Sequence, residues 1–388
     1  MWSGEQRNME ISMNKIRLFI DGHVFDGPNQ GTTTFLRGLY SSLARLDLPF
    51  EILVGAQSEV LLQKEPMLGP EVKHVRYRTK NRYVRLGVEI PSIIRKYRID
   101  YAHFQYFCPP IKNCRWIVTI HDLLFNDFPD EFPLSYRLLR NALFRYSARR
   151  AEINTTVSEY SRYAIERDFG IPSSQVHVLP NGVDEQFFKP FSREQSLRRI
   201  QATYGVDRYL LYVSRLEPRK NHETLARAFF ELALDQQGYQ LVFVGRRSLP
   251  TPELDRYLGN LTVDQRVAVR HFDDVTQRDL MDFYKGAELF VYPSKAEGFG
   301  IPPIEAAALG IPTLCSNATA MADFQFLGDF LFSPDNLLEL KKKLVHTLVM
   351  RKDVINVDAV RNAIQSRYSW DRTANILGEL IMTDWTRR

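Results

Sequence analysis

The chain runs twice through one pattern: short apolar runs ending in polar or glycine residues, each followed by a segment with apolar residues at helical spacing. "KIRLFIDG" has the length and content of a buried strand, and "TTTFLRGLYSSLARL" after it has a helical period, its threonine run offering an N-cap. "FEILVGA" is the next strand, the helix "VEIPSIIRKYRI" leads into "DYAHFQY", and "RWIVTIHD" is a strand closing on a polar pair. The helix "SYRLLRNALFRYSARRA", the strand "EINTTVS", the helix "EYSRYAIERDFG" and the strand "VHVLPNGVD" complete the first series. The polar, proline-containing passage "DEQFFKPFSREQS" is placed as the linker. The pattern restarts with "RYLLYVSRL", the helix "NHETLARAFFELA" and the strands "YQLVFVGR" and "VAVRHFD". The helix "QRDLMDFYKGA", the strand "ELFVYPS", a helix beginning near Pro303 and "IPTLCSN" follow. Strands alternating with helices call for parallel sheets covered on both faces. The fold class expected is α/β, as two Rossmann-like, doubly wound domains whose strand-end loops face a central cleft.

At 388 residues the chain exceeds one ordinary domain, and an apolar fraction of 44% with 25% charged residues suits a large buried core. No apolar run is long enough to cross a bilayer, and the leader "MWSGEQRNMEISMNK" lacks the hydrophobic centre of a secretory signal. Cys108, Cys114 and Cys315 have neither metal-ligand nor redox spacing, and their odd count argues against a disulfide framework, so a reducing cytoplasm is expected. The net charge of +5 is unevenly placed: "KHVRYRTKNRYVRLG" and residues 95–98 concentrate Lys and Arg, with Glu89 the only acid between them. Such a segment suits a solvated face, nucleic acid or anionic lipid. No helix-turn-helix, RNP or zinc signature is present, and nucleic acid is not an expected partner.

Chemistry concentrates after two strands of the second series. In "KAEGFGIPPIEA" Glu297 and Glu305 stand eight apart, with two glycines and two prolines between them. Pro302 and Pro303 suit a helix's first turn, where a missing N–H costs nothing, and Gly310 stops that helix. Free N–H groups around Phe299, Gly300 and Ile301 then point at an anion, and the two carboxylates, with Glu305 in the first turn, accept from sugar or ribose hydroxyls. Alternatively Glu305 only complements the helix dipole and Glu297 is a solvated loop acid. "VSRLEPRKN" places Arg215 and Lys220 after another strand and ahead of a helix, as a diphosphate clamp or, with Arg219 and Glu217, as a surface charge cluster. His121 in "TIHDLLF" ends a strand, where it either faces a ligand in the cleft or is structural and hydrogen-bonded to a neighbour, with Asp122 beside it to cap or orient. "FDD" at 272–274 is the pattern nearest to a metal-binding DxD and is read as a loop.

"SRLEPRKN", "VYPSKAEGFGIPPIEAAALGIP", "VLPNGVD" and "VSEYSRYAI" together resemble the retaining GT-B glycosyltransferases of family four (group 1), which include many bacterial mannosyl- and glucosyltransferases. The resemblance runs from about residue 15 to the final helix and is most specific over 209–317. It implies an acceptor-binding domain over 1–190, a nucleotide-sugar domain over 191–365, and a closing helix over 366–388, "YSWDRTANIL" included, that returns to the first domain. It implies that Arg215 and Lys220 hold the donor diphosphate and stabilise the leaving charge. Glu305 then binds the ribose, Glu297 lies near the transferred sugar, and the N–H groups of Phe299 and Gly300 meet sugar or phosphate. His121 matches a histidine that faces the donor sugar. The family's glycine-rich first loop is here "DGPNQGTTTFLRG", without a tight double glycine, and Gly31 is the residue left to admit the ligand's approach.

No metal and no cofactor are expected beyond the nucleotide-diphosphate sugar, which "LEPRKN" draws towards GDP-mannose because that variant is common among mannosyl members. The implied reaction is retaining hexosyl transfer to a glycan or polyprenyl-linked glycan in polysaccharide biosynthesis. The basic segments 73–98 and 136–150 would then rest on an anionic membrane surface at the cytoplasmic face. Two other readings fit the same residues: an epimerase or sugar-phosphate synthase on this fold, and a non-catalytic nucleotide-sugar-binding protein.

Overall fold

A computed structural model describes residues 15–27, 30–57, 68–350 and 356–387; the leader lies outside them. The first sheet contains β1 (Ile16–Asp21), β2 (Phe50–Ala56), β3 (Lys73–Arg76), β4 (Tyr101–Gln105), β5 (Arg115–Thr119), β6 (Ile153–Thr156) and β7 (Val176–Val178). The second contains β8 (Tyr209–Val213), β9 (Gln240–Val244), β10 (Val269–Phe272), β11 (Leu289–Tyr292), β12 (Thr313–Ser316) and β13 (Leu331–Phe332). Their orders are β3-β2-β1-β4-β5-β6-β7 and β10-β9-β8-β11-β12-β13. Every pair of neighbours in the second sheet runs parallel, as do β3–β2, β2–β1, β1–β4, β4–β5 and β5–β6 in the first. Two Rossmann-like α/β sheets are thus present, as the alternating pattern requires. Each reverses its order once, between β1 and β4 and between β8 and β11, and ligands of such sheets bind outside the carboxyl ends of the strands at that reversal.

The helices of eight residues or more are α1 (Gly31–Leu43), α2 (Ile90–Tyr97), α3 (Leu134–Arg150), α4 (Glu159–Phe169), α5 (Arg193–Tyr204), α6 (His222–Glu231), α7 (Pro252–Gly259), α8 (Gln277–Gly286), α9 (Ile301–Ala308), α10 (Leu337–Met350), α11 (Val357–Arg367) and α12 (Trp370–Thr386). Covered by helices, the central strands are buried along almost their whole length: Leu18, Phe19 and Ile20 on β1 and Tyr209 to Tyr212 on β8 are closed to solvent. Each large apolar side chain so buried contributes about 1.5–3 kcal/mol.

Local readings fail where little apolar surface is at stake. The basic "KHVR" forms β3, an edge strand whose two end residues are exposed, so it needs no apolar run. The passage taken as linker holds most of the start of α5, capped by Ser192, which accepts from the Gln195 N–H. That helix buries only Ser196 and Ile200 and is anchored by Arg199, which donates to both carboxylate oxygens of Asp282, so its sequence reads as polar throughout. The threonine run is not a cap: α1 starts at Gly31 after Gln30, and Thr33 is buried with its hydroxyl donating to the Val24 carbonyl.

The chain divides into two compact units. One takes the residues up to Thr119 with Arg140–Thr155 and the part of α12 from Ala374; the other takes Ile120–Leu139 and Thr156–Thr373. In the first unit Asp384 of α12 accepts from the Tyr101 hydroxyl at 2.6 Å and from Arg115 at 2.7 Å. In the second, Thr373 donates to the Pro180 carbonyl at 2.8 Å and the Trp370 indole to Asp184 at 3.1 Å.

Candidate functional site

Within the second unit, the loops after β8 and β11 meet where the strand order reverses. Residues 218–220 form one 3-10 turn after β8. Asn221, in the left-handed region at φ 60°, then starts α6. Its amide donates to the carbonyls of Pro293 and Pro334, and the buried Tyr212 hydroxyl donates to the Lys220 carbonyl at 2.7 Å. The position of Lys220 is therefore set from three sides.

Lys220 and Glu297 are both buried, and Lys220 Nζ donates to Glu297 Oε1 at 2.5 Å. The Tyr292 hydroxyl donates to the same oxygen at 2.8 Å. Arg219 Nη1 lies 3.6 Å from Glu297 Oε2, and Arg219 also holds Glu217 at 2.8 Å, which in turn pairs with the half-exposed Arg215 at 3.1 Å. A chain of alternating charge thus runs Arg215, Glu217, Arg219, Glu297, Lys220. Burial pushes the Glu297 carboxyl up, but Lys220 and Arg219 outweigh it and hold it at about 2, so it is ionised at neutral pH.

The turn after β11 is fixed by its neighbours. Arg219 Nη1 donates to the Ala296 carbonyl at 2.7 Å, Thr319 bonds both the N–H and the carbonyl of Glu297, and Ser158 donates to the Gly298 carbonyl at 2.7 Å. A Cβ on Gly298 would lie 2.8 Å from the His121 carbonyl oxygen and 2.9 Å from the Asp122 Cβ, so only glycine lets the "HD" segment close on this turn. Gly300 precedes α9 at φ 102°, which favours glycine. The N–H groups of Phe299, Gly300 and Ile301 meet no acceptor among the described residues and stand at a helix N-terminus. Phe299 itself is buried against Phe324 and Tyr368.

Glu305 is the fifth residue of α9, in its second turn and not the first, and accepts from the Tyr284 hydroxyl at 3.0 Å. Burial pushes its carboxyl up to about 8, with Tyr284 opposing and Asp184 adding to the rise. The two glutamates therefore differ in state: Glu297 is charged and Glu305 protonated at neutral pH in the free protein.

His121 is buried at the end of β5's loop, and burial holds its imidazole at about 3, hence neutral. Its carbonyl accepts from Ser161, and the Asp122 carboxylate accepts the Leu124 N–H at 3.3 Å. Burial raises the Asp122 carboxyl, with Arg219 and Lys220 opposing. Of the residues singled out in the sequence, His121, Arg215, Lys220, Glu297, Phe299, Gly300, Ile301 and Glu305 all belong to this unit. Gly31 belongs to the other, at the start of α1, where a Cβ would meet nothing within 4 Å, so the fold alone does not demand glycine there.

Arg219, Tyr292, Thr319, Ser158 and Tyr284 were not foreseen. Arg219 was visible in "EPRKN" as a charge and Tyr292 stands five positions before Glu297, but Tyr284, Thr319 and Ser158 reach the site through space across 21 to 140 positions of chain. The "FDD" carboxylates follow β10, where Asp273 lies 3.4 Å from His271 and Asp274 2.6 Å from Arg246. Among the described residues no three His, Cys, Asp or Glu side chains are grouped as a metal ion requires.

Residues 193–351 match the family model for glycosyl transferases group 1, and residues 29–187 match that for glycosyltransferase family 4. O-antigen chain mannosyltransferase B of Escherichia coli is 26% identical over 275 residues, covering 66% of this chain and 71% of its own. Serotype-specific mannosyltransferase WbdA of Escherichia coli is 27% identical over 234 residues, covering 58% of this chain but 28% of that longer protein. The structure of HepE from Anabaena in complex with UDP and glucose matches with a TM-score of 0.70 at 17% identity, over 95% of this chain and 100% of that one, a likeness of fold.

Proposed function

The chain belongs to the glycosyltransferases and has the GT-B fold, and from that premise we propose that it transfers mannose from GDP-mannose, with retention, to a hydroxyl of a glycan or polyprenyl-linked glycan. The observation that carries the reading is the meeting of Lys220 and Glu297 at the strand-order reversal, beside three unpartnered N–H groups. Mannose rests on the mannosyltransferases among the similar proteins, and a nucleotide-sugar donor on the neighbour with UDP and glucose.

Departure of a nucleoside diphosphate builds negative charge on phosphate and positive charge on the anomeric carbon. Arg215, half-exposed beside Glu217, and Lys220 answer the first charge together with the N–H groups of Phe299, Gly300 and Ile301. Glu297 keeps Lys220 charged and aimed, and offers a carboxylate edge to the transferred sugar. Neutral His121 serves as a hydrogen-bond partner there and not as a cation. Glu305 takes the ribose hydroxyls. Because Glu297 is already tied to Lys220, Arg219 and Tyr292, it makes a poor covalent nucleophile. Attack from the face the diphosphate leaves, with the leaving phosphate accepting the acceptor's proton, retains configuration without one. The cations supply the charge a metal would supply, and the work is done in the reducing cytoplasm.

Calorimetric titration with GDP-mannose in excess EDTA tests the donor site. Wild type binds without metal, and Arg215→Ala, which costs the fold only a half-exposed ion pair, weakens binding about 10-fold or more. Tighter binding of UDP-glucose would move the donor and keep the site; binding that EDTA abolishes would overturn metal independence.

A further inference from the structure

At the carboxyl end of β1, in the first unit, four side chains meet that the site described above does not use. Asp21 is the last residue of β1 and is buried. The Tyr77 hydroxyl donates to its Oδ1 at 2.8 Å, Arg85 Nε lies 3.6 Å from the same oxygen, and His23 Nδ1 lies 3.1 Å from Oδ2. Burial pushes this carboxyl up, but His23, Arg85 and Tyr77 together outweigh it and hold it below the usual range. A buried anion thus stands where the first sheet reverses its order, between β1 and β4, the place where such sheets receive ligands.

The surroundings hold these groups in place. The Gly22 N–H donates to the Gly55 carbonyl at 2.8 Å and the Phe25 N–H to the Gly22 carbonyl at 2.9 Å, while Thr33 of α1 donates to Val24 in the turn His23–Asp26. A Cβ on Gly55 would overlap the Tyr77 hydroxyl, so glycine there lets Tyr77 reach Asp21. Arg85 opens a π-helical turn, Arg85–Glu89, ahead of α2, a rare geometry that recurs at functional sites.

Two of the donors are nonetheless unfinished. His23 Nδ1 and Arg85 Nε are closed to solvent, yet neither makes a straight hydrogen bond among the described residues. Buried donors left in this way call for an explanation, and the bonds of a ligand site are often loose until the ligand seats. Nδ1 is closed while 31% of the His23 side chain is open, so the ring presents its Nε2 edge. With its proton on the Nδ1 that faces Asp21, the imidazole accepts at Nε2. Arg85, 13% exposed, has guanidinium N–H groups beyond Nε to donate. The carboxylate repels an anion and the guanidinium a cation, and no group of side chains suited to a metal ion occurs among the described residues. Neighbouring hydroxyls, each able to donate and to accept, fit both. We propose that His23 and Arg85, gathered by Asp21, form a subsite for a pair of neighbouring saccharide hydroxyls, one donating to His23 Nε2 and the other accepting from Arg85. Asp21 and Tyr77 act through them as positioning residues. That the bound saccharide is the acceptor of the transfer rests on the function proposed above.

The test uses the whole chain with an α-linked mannobiose as probe. Saturation-transfer NMR without donor gives its Kd, and turnover with GDP-mannose gives its KM. His23→Phe keeps the bulk of the ring but not the acceptor, and raises both about tenfold. His23→Gln, whose amide oxygen accepts in place of Nε2, recovers much of that loss. Arg85→Lys keeps the charge beside Asp21 but not the planar fork, and raises both about fivefold. GDP-mannose affinity stays unchanged in all three variants, which shows that they are folded. Wild type that does not bind mannobiose, or variants that bind it as wild type does, overturns the proposal. So does a His23→Gln no better than His23→Phe, or a loss of donor affinity as large as the loss for mannobiose, since the cluster would then be structural. Mannobiose binding with these losses but without any transfer would instead defeat the function proposed above and leave the subsite standing.

Discussion

Glu297→Leu is expected to lower the transfer rate about a thousandfold or more, because a misaimed cation no longer meets the leaving charge, and to cost about 3–5 kcal/mol of stability, because it breaks a buried pair. The substitution strands Lys220, which is buried and whose burial already lowers its ammonium, with Glu297 the main opposing partner. It also takes one acid from Arg219 and leaves the Tyr292 hydroxyl without its acceptor. The double change Lys220→Met with Glu297→Leu separates the two effects. Replacing both partners by apolar groups restores most of the stability while the rate stays low. Urea unfolding and turnover measured on the same samples check this. Recovery of rate together with stability would mean that the pair is only structural.

The second large effect is a pH dependence centred on Glu305. Its folded carboxyl titrates near 8 against an ordinary value of 4.5. Between those values the folded protein keeps a proton that the unfolded chain has released, so stability is fully present below 4.5 and falls as pH rises through 8. His121 acts in a lower window: its folded value near 3 lies below the ordinary 6.5, so its contribution is complete by pH 6.5. Above pH 6.5, therefore, the melting temperature of wild type should fall with pH by several degrees more than that of Glu305→Gln. Donor binding runs the other way. A carboxylate that accepts ribose hydroxyls must first lose its proton, so GDP-mannose affinity should rise up to about tenfold per pH unit towards 8, and be flat in Glu305→Gln. Affinity flat in wild type would place the ribose elsewhere.

What the sequence made legible follows from repetition and punctuation. Alternating strand and helix patterns imply two parallel sheets whatever the details, and both sheets are present. Glycines and prolines beside acids in "EGFGIPPIE", and cations in "RLEPRKN", marked the two loops that meet at the β8/β11 reversal. Partners that act at a distance were not legible. Tyr284 and Tyr292 lie among the buried aromatics of the core, and Ser158 caps α4 as well as bonding the Gly298 carbonyl, none of which a local stretch of sequence marks. Glu305 was placed one turn too early because the helix starts at Ile301, after a left-handed Gly300 that the sequence alone does not locate. The missed β3 and the start of α5 lie at an edge and on a surface, where packing asks little of the sequence.

The anomeric configuration of the transferred sugar tests the central claim most directly. Proton NMR of the product formed from GDP-mannose and a polyprenyl-linked or glycan acceptor, in excess EDTA and within the first turnovers, should show the α-mannoside, with the donor's configuration kept. A β-mannoside would contradict the same-face attack derived from the engaged Glu297, and formation of the product only after metal is restored would contradict charge stabilisation by Arg215 and Lys220.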